Sequence, residues 1–125
     1  MQRDTAQRRA IRNVFGALNR PLSPQEILEA AQEHVPNMGL ATVYRTVKSL
    51  TESKTIAVVD VPGEPQRYEL AGKDHHHHFS CRTCGRMFEM DGCPGDLERL
   101  VPPGFVMEDH EVFIYGRCRD CNRRR

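Results

Sequence analysis

The sequence predicts an α+β protein built from two parts, and three observations lead to this fold class. Residues 5–50 contain three helical patterns, each with one apolar stripe. Two short strand patterns, at residues 56–61 and 66–70, follow around a Pro-Gly-Glu-Pro turn. Residues 75–125 then carry four consecutive histidines and two Cys-x-x-Cys pairs, the residue types that bind transition metals. At 125 residues the chain suits two small domains, which often need a metal or a partner subunit.

Each predicted helix has its own boundary signal. The first covers residues 5–18 and ends before Pro21. The second begins at a serine N-cap, Ser23, followed by a proline and by Glu26, which is placed to close a capping box. The third follows a turn that ends in glycine and runs for about four turns. The apolar stripes consist of Ile11, Val14, Phe15 and Leu18, then Ile27, Leu28 and Ala31, then Leu40, Val43, Val47 and Leu50.

The polar face of the third helix has the chemistry of a DNA-reading surface. It presents Thr42, Tyr44, Arg45 and Lys48. An arginine can bind guanine and a lysine can bind phosphate when such a helix lies in the major groove. A three-helix core with a solvated polar face is the alternative, but the two following strands form a hairpin of the kind called a wing. Residues 1–70 are therefore predicted to be a winged helix-turn-helix DNA-binding domain.

Charge is distributed unevenly along the chain. Residues 1–54 carry eight Lys/Arg against five Asp/Glu, a net charge of +3. Residues 55–125 carry ten Lys/Arg against twelve Asp/Glu, a net charge of −2. Four arginines between residues 3 and 12 can meet phosphate, although a basic helix face is often only a solvated surface. No apolar run has membrane-span length and the N-terminus lacks a signal-peptide stretch, so we expect a cytoplasmic protein.

The second part is predicted to be a small α+β domain, residues 75–125, joined to the first by a hinge at residues 71–74. One strand is predicted through the histidines and two more at residues 86–90 and 112–115. A short helix is predicted near residues 96–101.

Two cysteine pairs predict a structural zinc site. Cys81 with Cys84 and Cys118 with Cys121 supply four thiolates, which match a closed tetrahedral shell. Thiols stay reduced in the cytoplasm, so zinc is favoured over two disulfides or a redox Cys-x-x-Cys. Because no position stays open for water, this zinc is not expected to catalyse. The remaining Cys93 is expected to be a small buried thiol, with a regulatory ligand or an oxidation-sensitive thiol as alternatives.

The histidine run predicts two further metal sites. In an extended segment successive side chains point to opposite faces, so His75 and His77 leave on one side and His76 and His78 on the other. Three carboxylates lie near the run in sequence, those of Glu69, Glu89 and Asp96. Together, histidine nitrogens and carboxylate oxygens form the mixed ligand shells that suit Fe(II), Mn(II) and Zn(II).

With these motifs, the chain resembles the ferric uptake regulator family over essentially its whole length. The segments that carry the resemblance are residues 39–45 (GLATVYR), 67–70 (RYEL), 74–81 (DHHHHFSC), 84–85 (CG) and 115–121 (YGRCRDC). The resemblance implies a homodimeric, metal-activated repressor that binds double-stranded operator DNA and controls metal uptake genes. It also implies structural Zn2+, a regulatory Fe2+, Mn2+ or Zn2+ ion, and dimerisation through the second domain.

The resemblance further implies roles for individual residues. The sensing site falls on Glu69, His76, His78 and Glu89. A second site in the dimerisation domain falls on His75, His77, Asp96 and His110. DNA contacts fall on Tyr44 and Arg45, on the same face as Thr42 and Lys48, with Arg3 as a weaker candidate.

Two positions refine what the resemblance implies. Many family members have a sensing-site histidine where this chain has Pro21, so the shell lacks one ligand or borrows another. Zinc sensors often have cysteine, and peroxide sensors aspartate, where this chain has Glu69. Glutamate favours an iron-type or manganese-type regulator, and zinc-sensing and peroxide-sensing regulators of the same family are the alternatives.

Two more distant alternatives come from other classes of protein. A zinc hydrolase or deaminase needs an open zinc position, and the deaminase pattern H-x-E followed by P-C-x-x-C is absent from the sequence. A zinc storage protein has no use for a DNA-binding half. We therefore expect a regulator and not an enzyme.

Overall fold

The computed structural model describes residues 5–123. The chain folds into two compact units, one ending at Lys73 and the other beginning at Asp74. Each unit contains both helix and sheet, which confirms the predicted α+β class. Among the described helices, none is both long enough and apolar enough to span a bilayer.

The helices of the first unit begin at side-chain caps or at a glycine. Helix α1 spans Ala6–Leu18, α2 spans Pro24–Ala31 and α3 spans Leu40–Glu52. The predicted capping box is confirmed, since the Glu26 amide donates to Ser23 Oγ at 3.2 Å and the Ser23 amide donates to Glu26 Oε1 at 3.0 Å. Helix α2 ends at Ala31, and turns with one bend occupy residues 32–37 before α3.

A two-stranded wing completes the first unit. Strand β1 (Ile56–Val59) pairs antiparallel with β2 (Arg67–Leu70). Leu22 and Tyr68 exchange backbone hydrogen bonds of 2.8 and 2.9 Å, which attach β2 to the segment between α1 and α2. This arrangement confirms the winged helix.

The core of the first unit follows the predicted stripes except at two helix ends. Its largest fully buried apolar side chains are those of Ile11, Phe15, Leu22, Ile27, Val43, Leu50 and Ile56. Leu18 is 42% exposed and Leu40 is 38% exposed, so their prediction as core residues is wrong. Leu18 is the last residue of α1 and Leu40 is the first of α3. Each of these residues continues the apolar pattern of its helix but lies beyond the part of the helix that packs against the core.

The second unit is a three-stranded sheet with β3 in the centre. Strand β3 spans His77–Cys81, β4 spans Met87–Met90 and β5 spans Phe113–Gly116. Strand β4 pairs antiparallel with one edge of β3, and β5 pairs parallel with the other. The predicted short helix is a 3-10 helix over Leu97–Leu100, and a helix α4 over Arg119–Arg123 was not predicted, because five residues carry no apolar period.

The capping glutamate of α2 is also an ion-pair partner. Glu26 Oε2 lies 2.7 Å from Arg20 Nη1, and Glu26 Oε1 lies 3.7 Å from Arg67 Nη1. Burial alone would raise the pKa of Glu26, but the Ser23 amide and the two arginines more than offset it and hold the pKa below its usual value of 4.5.

We predict that Glu26→Gln lowers the free energy of unfolding at pH 7 by about 1 kcal/mol. The folded pKa is depressed, so the stabilisation is present above pH 4.5 and is lost as pH falls through the folded value. Urea denaturation of both proteins as a function of pH measures the difference. Glu29→Gln, at an exposed position of the same helix, is the control. A Glu26→Gln deficit that did not shrink in acid would contradict this account.

Candidate metal centres and nucleic-acid face

The four paired cysteines converge as predicted. Cys81 ends β3, and the parallel pairing of β3 with β5 brings the turn at Cys84 beside Cys118 and the start of α4. One sulfur from each of Cys81, Cys84, Cys118 and Cys121 lies within 4.8 Å of the other three. The 3.8 Å between Cys84 Sγ and Cys118 Sγ is far longer than a disulfide. It equals the separation of about 3.8 Å expected for two thiolates on one tetrahedral zinc.

Backbone amides prepare this site for a cation. The Cys84 amide donates to Cys81 Sγ at 3.5 Å and the Cys118 amide donates to the same sulfur at 3.3 Å. These hydrogen bonds lower the pKa of the Cys81 thiol to about 6, so it is a thiolate at neutral pH. Burial, together with the neighbouring thiols, raises the pKa of Cys121 to about 12. Four converging sulfurs, one of which ionises easily, fit a zinc ion, whose binding would displace the remaining thiol protons.

A second cluster gathers on one side of the histidine run. His75, His77 and His110 have ring centroids between 4.6 and 5.1 Å apart. The Nε2 atoms of His75 and His110 are 3.1 Å apart. Cys93 Sγ is also 3.1 Å from His110 Nε2. The cluster therefore contains three imidazoles and one thiol.

The structure places Cys93 in this cluster where the sequence placed Asp96. The Asp96 backbone is left-handed, with φ 52°, at the start of the 3-10 helix, and its carboxylate lies 3.9 Å from Arg99 Nε. Cys93 is exposed, so the prediction of a buried thiol is wrong. The sequence offered a ligand role for Cys93 only as an alternative, because its partner His110 is 17 residues away and only the fold brings them together.

The other pair of histidines lies apart from this cluster. The rings of His76 and His78 have centroids 4.8 Å apart, and His78 stands opposite Glu89 in the pairing of β3 with β4. His76 Nδ1 donates to the Asp74 carbonyl at 2.8 Å, which puts the lone pair of the neutral ring on Nε2. Glu69, the remaining predicted ligand, is a buried residue of β2 in the first unit.

The predicted DNA-reading residues lie on one face of α3. Tyr44, Arg45 and Lys48 are exposed and Thr42 is partly exposed, while Arg45 Nη2 donates to Thr42 Oγ1 at 3.1 Å. Arg3 lies outside the described residues.

Helix α1 adds a further cation beside this face. Arg8 Nη1 donates to Ser49 Oγ of α3 at 2.6 Å, and Arg8 and Arg45 line the same polar surface pocket. The sequence indicated Arg8 only as one arginine of a basic cluster. The structure places it against α3.

The model of the ferric uptake regulator family matches residues 2–115 of the chain. The chain belongs to this family. Among curated ferric uptake regulator relatives, the "Ferric uptake regulation protein" of Campylobacter jejuni is 34% identical over 92 residues, which are 71% of this chain. The match spans only 59% of that relative's length.

Solved structures of ferric uptake regulators and their relatives share this fold. A "zinc-bound manganese uptake regulator" superposes with a TM-score of 0.78 at 27% identity, over 94% of this chain and 91% of its own. The Helicobacter pylori ferric uptake regulator superposes with a TM-score of 0.71 at 26% identity, over 96% of this chain and 82% of its own. That structure is described as having three functional metal binding sites.

One residue of this chain departs from the sensing site that the family resemblance implies. Pro21, at the position where the resemblance implies a sensing-site histidine, is fully buried. A proline side chain offers no metal ligand. The first unit therefore contributes Glu69 and not a histidine to the predicted sensing set.

We predict that Cys118→Ser removes the structural zinc and lowers the melting temperature by at least about 10 °C, because folding of a small thiolate domain is coupled to metal binding. Zinc content after dialysis against a moderate chelator, with the melting temperature of the same sample, measures both effects. Thr83→Ser, in the turn between Cys81 and Cys84, is the control. Retention of the chelator-resistant zinc by Cys118→Ser would contradict the assignment.

Proposed function

We propose that the chain is a metal-dependent, DNA-binding transcriptional repressor that controls metal uptake genes and is of the iron or manganese type. The observation that carries this proposal is the combination of metal-suited clusters and an exposed Tyr-Arg-Lys face on α3 within one ferric uptake regulator chain. Such a protein acts on chromosomal DNA in the cytoplasm. Its relatives are named as regulators, which supports a regulatory and not an enzymatic role for the chain.

The regulatory metal is proposed to bind to Glu69, His76, His78 and Glu89. Two imidazoles and two carboxylates form the mixed shell that Fe(II), Mn(II) and Zn(II) accept, and a shell without thiolate does not favour zinc through ligand softness. The hydrogen bond from His76 Nδ1 to Asp74 supports this role, because it fixes the tautomer in which Nε2 can ligate.

The proposed coupling is allosteric. Glu69 belongs to the wing strand β2, whereas His76, His78 and Glu89 belong to the second unit, so one ion held by all four restricts the segment that joins the units. In a homodimer this restriction sets the spacing of the two recognition helices, which must match half-sites about one helical turn apart or a multiple of it. Bound metal thereby lowers the conformational entropy that the protein must lose when it binds operator DNA.

Exposed apolar side chains support the proposed homodimer. Strand β5 is an edge of its sheet, and Ile114 and Tyr115 on it are 47% and 40% exposed. Phe105 and Val106, in the loop before it, are 70% and 84% exposed. An unpaired edge beside exposed apolar side chains is a surface that a second copy of the chain can cover.

We predict that the double substitution His76→Ala, His78→Ala abolishes metal-stimulated operator binding and leaves the structural zinc and the dimer in place. Fluorescence anisotropy with a duplex selected from a random pool, with and without added metal, measures the effect. His34→Ala, an exposed histidine of the first unit, is the control. Equal operator affinity of parent and double variant in both conditions would exclude these histidines as sensor ligands.

We predict different effects for the two cations of α3. Arg45→Ala should cost about 1–3 kcal/mol on the selected operator and relax the preference for one base pair, because an arginine that contacts guanine reads sequence. Lys48→Ala should weaken binding to every duplex alike and reduce the salt dependence by about one charge. Binding isotherms on matched and mismatched duplexes at several salt concentrations distinguish these outcomes. Identical profiles for the two variants would contradict the assignment of Arg45 to a base.

A further inference from the structure

The cluster of three histidines and Cys93 differs in chemistry from the proposed regulatory site. One ring nitrogen or sulfur from each of His75, His77, Cys93 and His110 lies within 4.8 Å of the other three. Three of the four residues are drawn from separate segments: Cys93 from the loop after β4, His110 from the segment before β5, and His77 from the start of β3. Chance proximity of neighbours in sequence does not explain this convergence.

Two of the separations lie within about 0.5 Å of those of ligands around one ion. Two imidazole nitrogens on a tetrahedral zinc are about 3.3 Å apart, and a nitrogen and a thiolate sulfur are about 3.6 Å apart. His110 Nε2 lies 3.1 Å from His75 Nε2 and 3.1 Å from Cys93 Sγ. A shift of a few tenths of an ångström opens this contact set to a metal.

His77 supplies an independent sign that the cluster binds a ligand. The residue is 2% exposed, and within residues 5–123 its Nε2 is a buried polar atom with no hydrogen-bond partner. A buried unpartnered nitrogen is costly and calls for an explanation. The Val112 amide donates to His77 Nδ1 at 3.1 Å, so Nε2 of the neutral ring carries the proton. Metal binding by His77 therefore requires release of the Val112 contact or of that proton.

We propose that Cys93 is a metal ligand and that His75, His77, Cys93 and His110 form a zinc-selective site. A soft thiolate and imidazoles favour zinc over Fe(II) and Mn(II), which prefer carboxylate-containing shells. Four protein ligands close the tetrahedron, so the bound zinc has no open position for water. On binding, the Cys93 thiol releases its proton to solvent and its sulfur bonds to the ion. The His77 proton moves from Nε2 to Nδ1 as the Val112 contact is released, which gives Nε2 the lone pair that binds the ion.

The thiol also explains why the carboxylate is not needed there. Asp96 lies beside Arg99, and Cys93 occupies the ligand position in its place. Replacement of a carboxylate by a thiolate changes the metal preference of the site and leaves its histidines unchanged. The chain would then hold zinc at two sites and its regulatory ion at a third.

Metal protection of Cys93 from alkylation tests the proposal. The full-length protein, with zinc retained by the four paired cysteines, is treated with iodoacetamide at buffered free Zn2+ or Mn2+, and modification of Cys93 is followed by mass spectrometry of its peptide. Cys93 is exposed, so it should react readily without added metal. Zinc should slow its modification at least about 10-fold, and manganese should not.

Two variants give the experiment its controls. His110→Ala should abolish the zinc protection, and Asp96→Ala should leave it unchanged. Unchanged modification of Cys93 in the parent protein under zinc would overturn the proposal whether or not either variant folds. Protection that survives in His110→Ala, or that is lost in Asp96→Ala, would also overturn it.

Operator binding measured on the same samples separates this inference from the proposed function. Metal-stimulated DNA binding without zinc protection of Cys93 contradicts only the zinc-selective site. Protection of Cys93 in a protein that binds no operator contradicts only the proposed repressor function.

Discussion

The pairing of β3 on both of its edges is the constraint on which the metal chemistry of this protein depends. Strand β4 lies antiparallel on one side and β5 lies parallel on the other, so the backbone of β3 is fixed at every residue. With that backbone fixed, His77 and His78 belong to different candidate metal clusters although they are adjacent in sequence. The same strand delivers Cys81 beside Cys118.

The paired cysteines and the histidines are therefore one structural system. The parallel pairing with β5 carries the chain from Gly116 to Cys118, and the four-cysteine site in turn closes the end of the sheet. A zinc ion bound there would hold β3 and β5 in the register that places the Val112 amide against His77. Loss of the structural zinc is thus expected to change the positions of the histidines in both sets, although it removes none of their ligands.

Local signals and paired ligand motifs could be read from the sequence, whereas the position of a single loop residue such as Cys93 could not. The capping box of Ser23 and Glu26 was predictable because both residues lie within one helical turn. The four-cysteine site was predictable because two-residue spacers constrain each pair of thiols. Cys93 carried no such spacing, and its place beside His110 depends on loop backbone that residue types do not specify. Similarly, the apolar stripes revealed the helices but not that packing stops short of Leu18 and Leu40.

The central claim is that a metal ion bound in the second unit and on the wing controls how the recognition helices meet DNA. The most direct test is operator affinity titrated against buffered free Fe(II), Mn(II) and Zn(II), with metal content measured on each sample. The account predicts that affinity rises as one ion per chain binds beyond the zinc already held by the cysteines and by the Cys93 site. Operator affinity that stayed constant while that ion bound would contradict it.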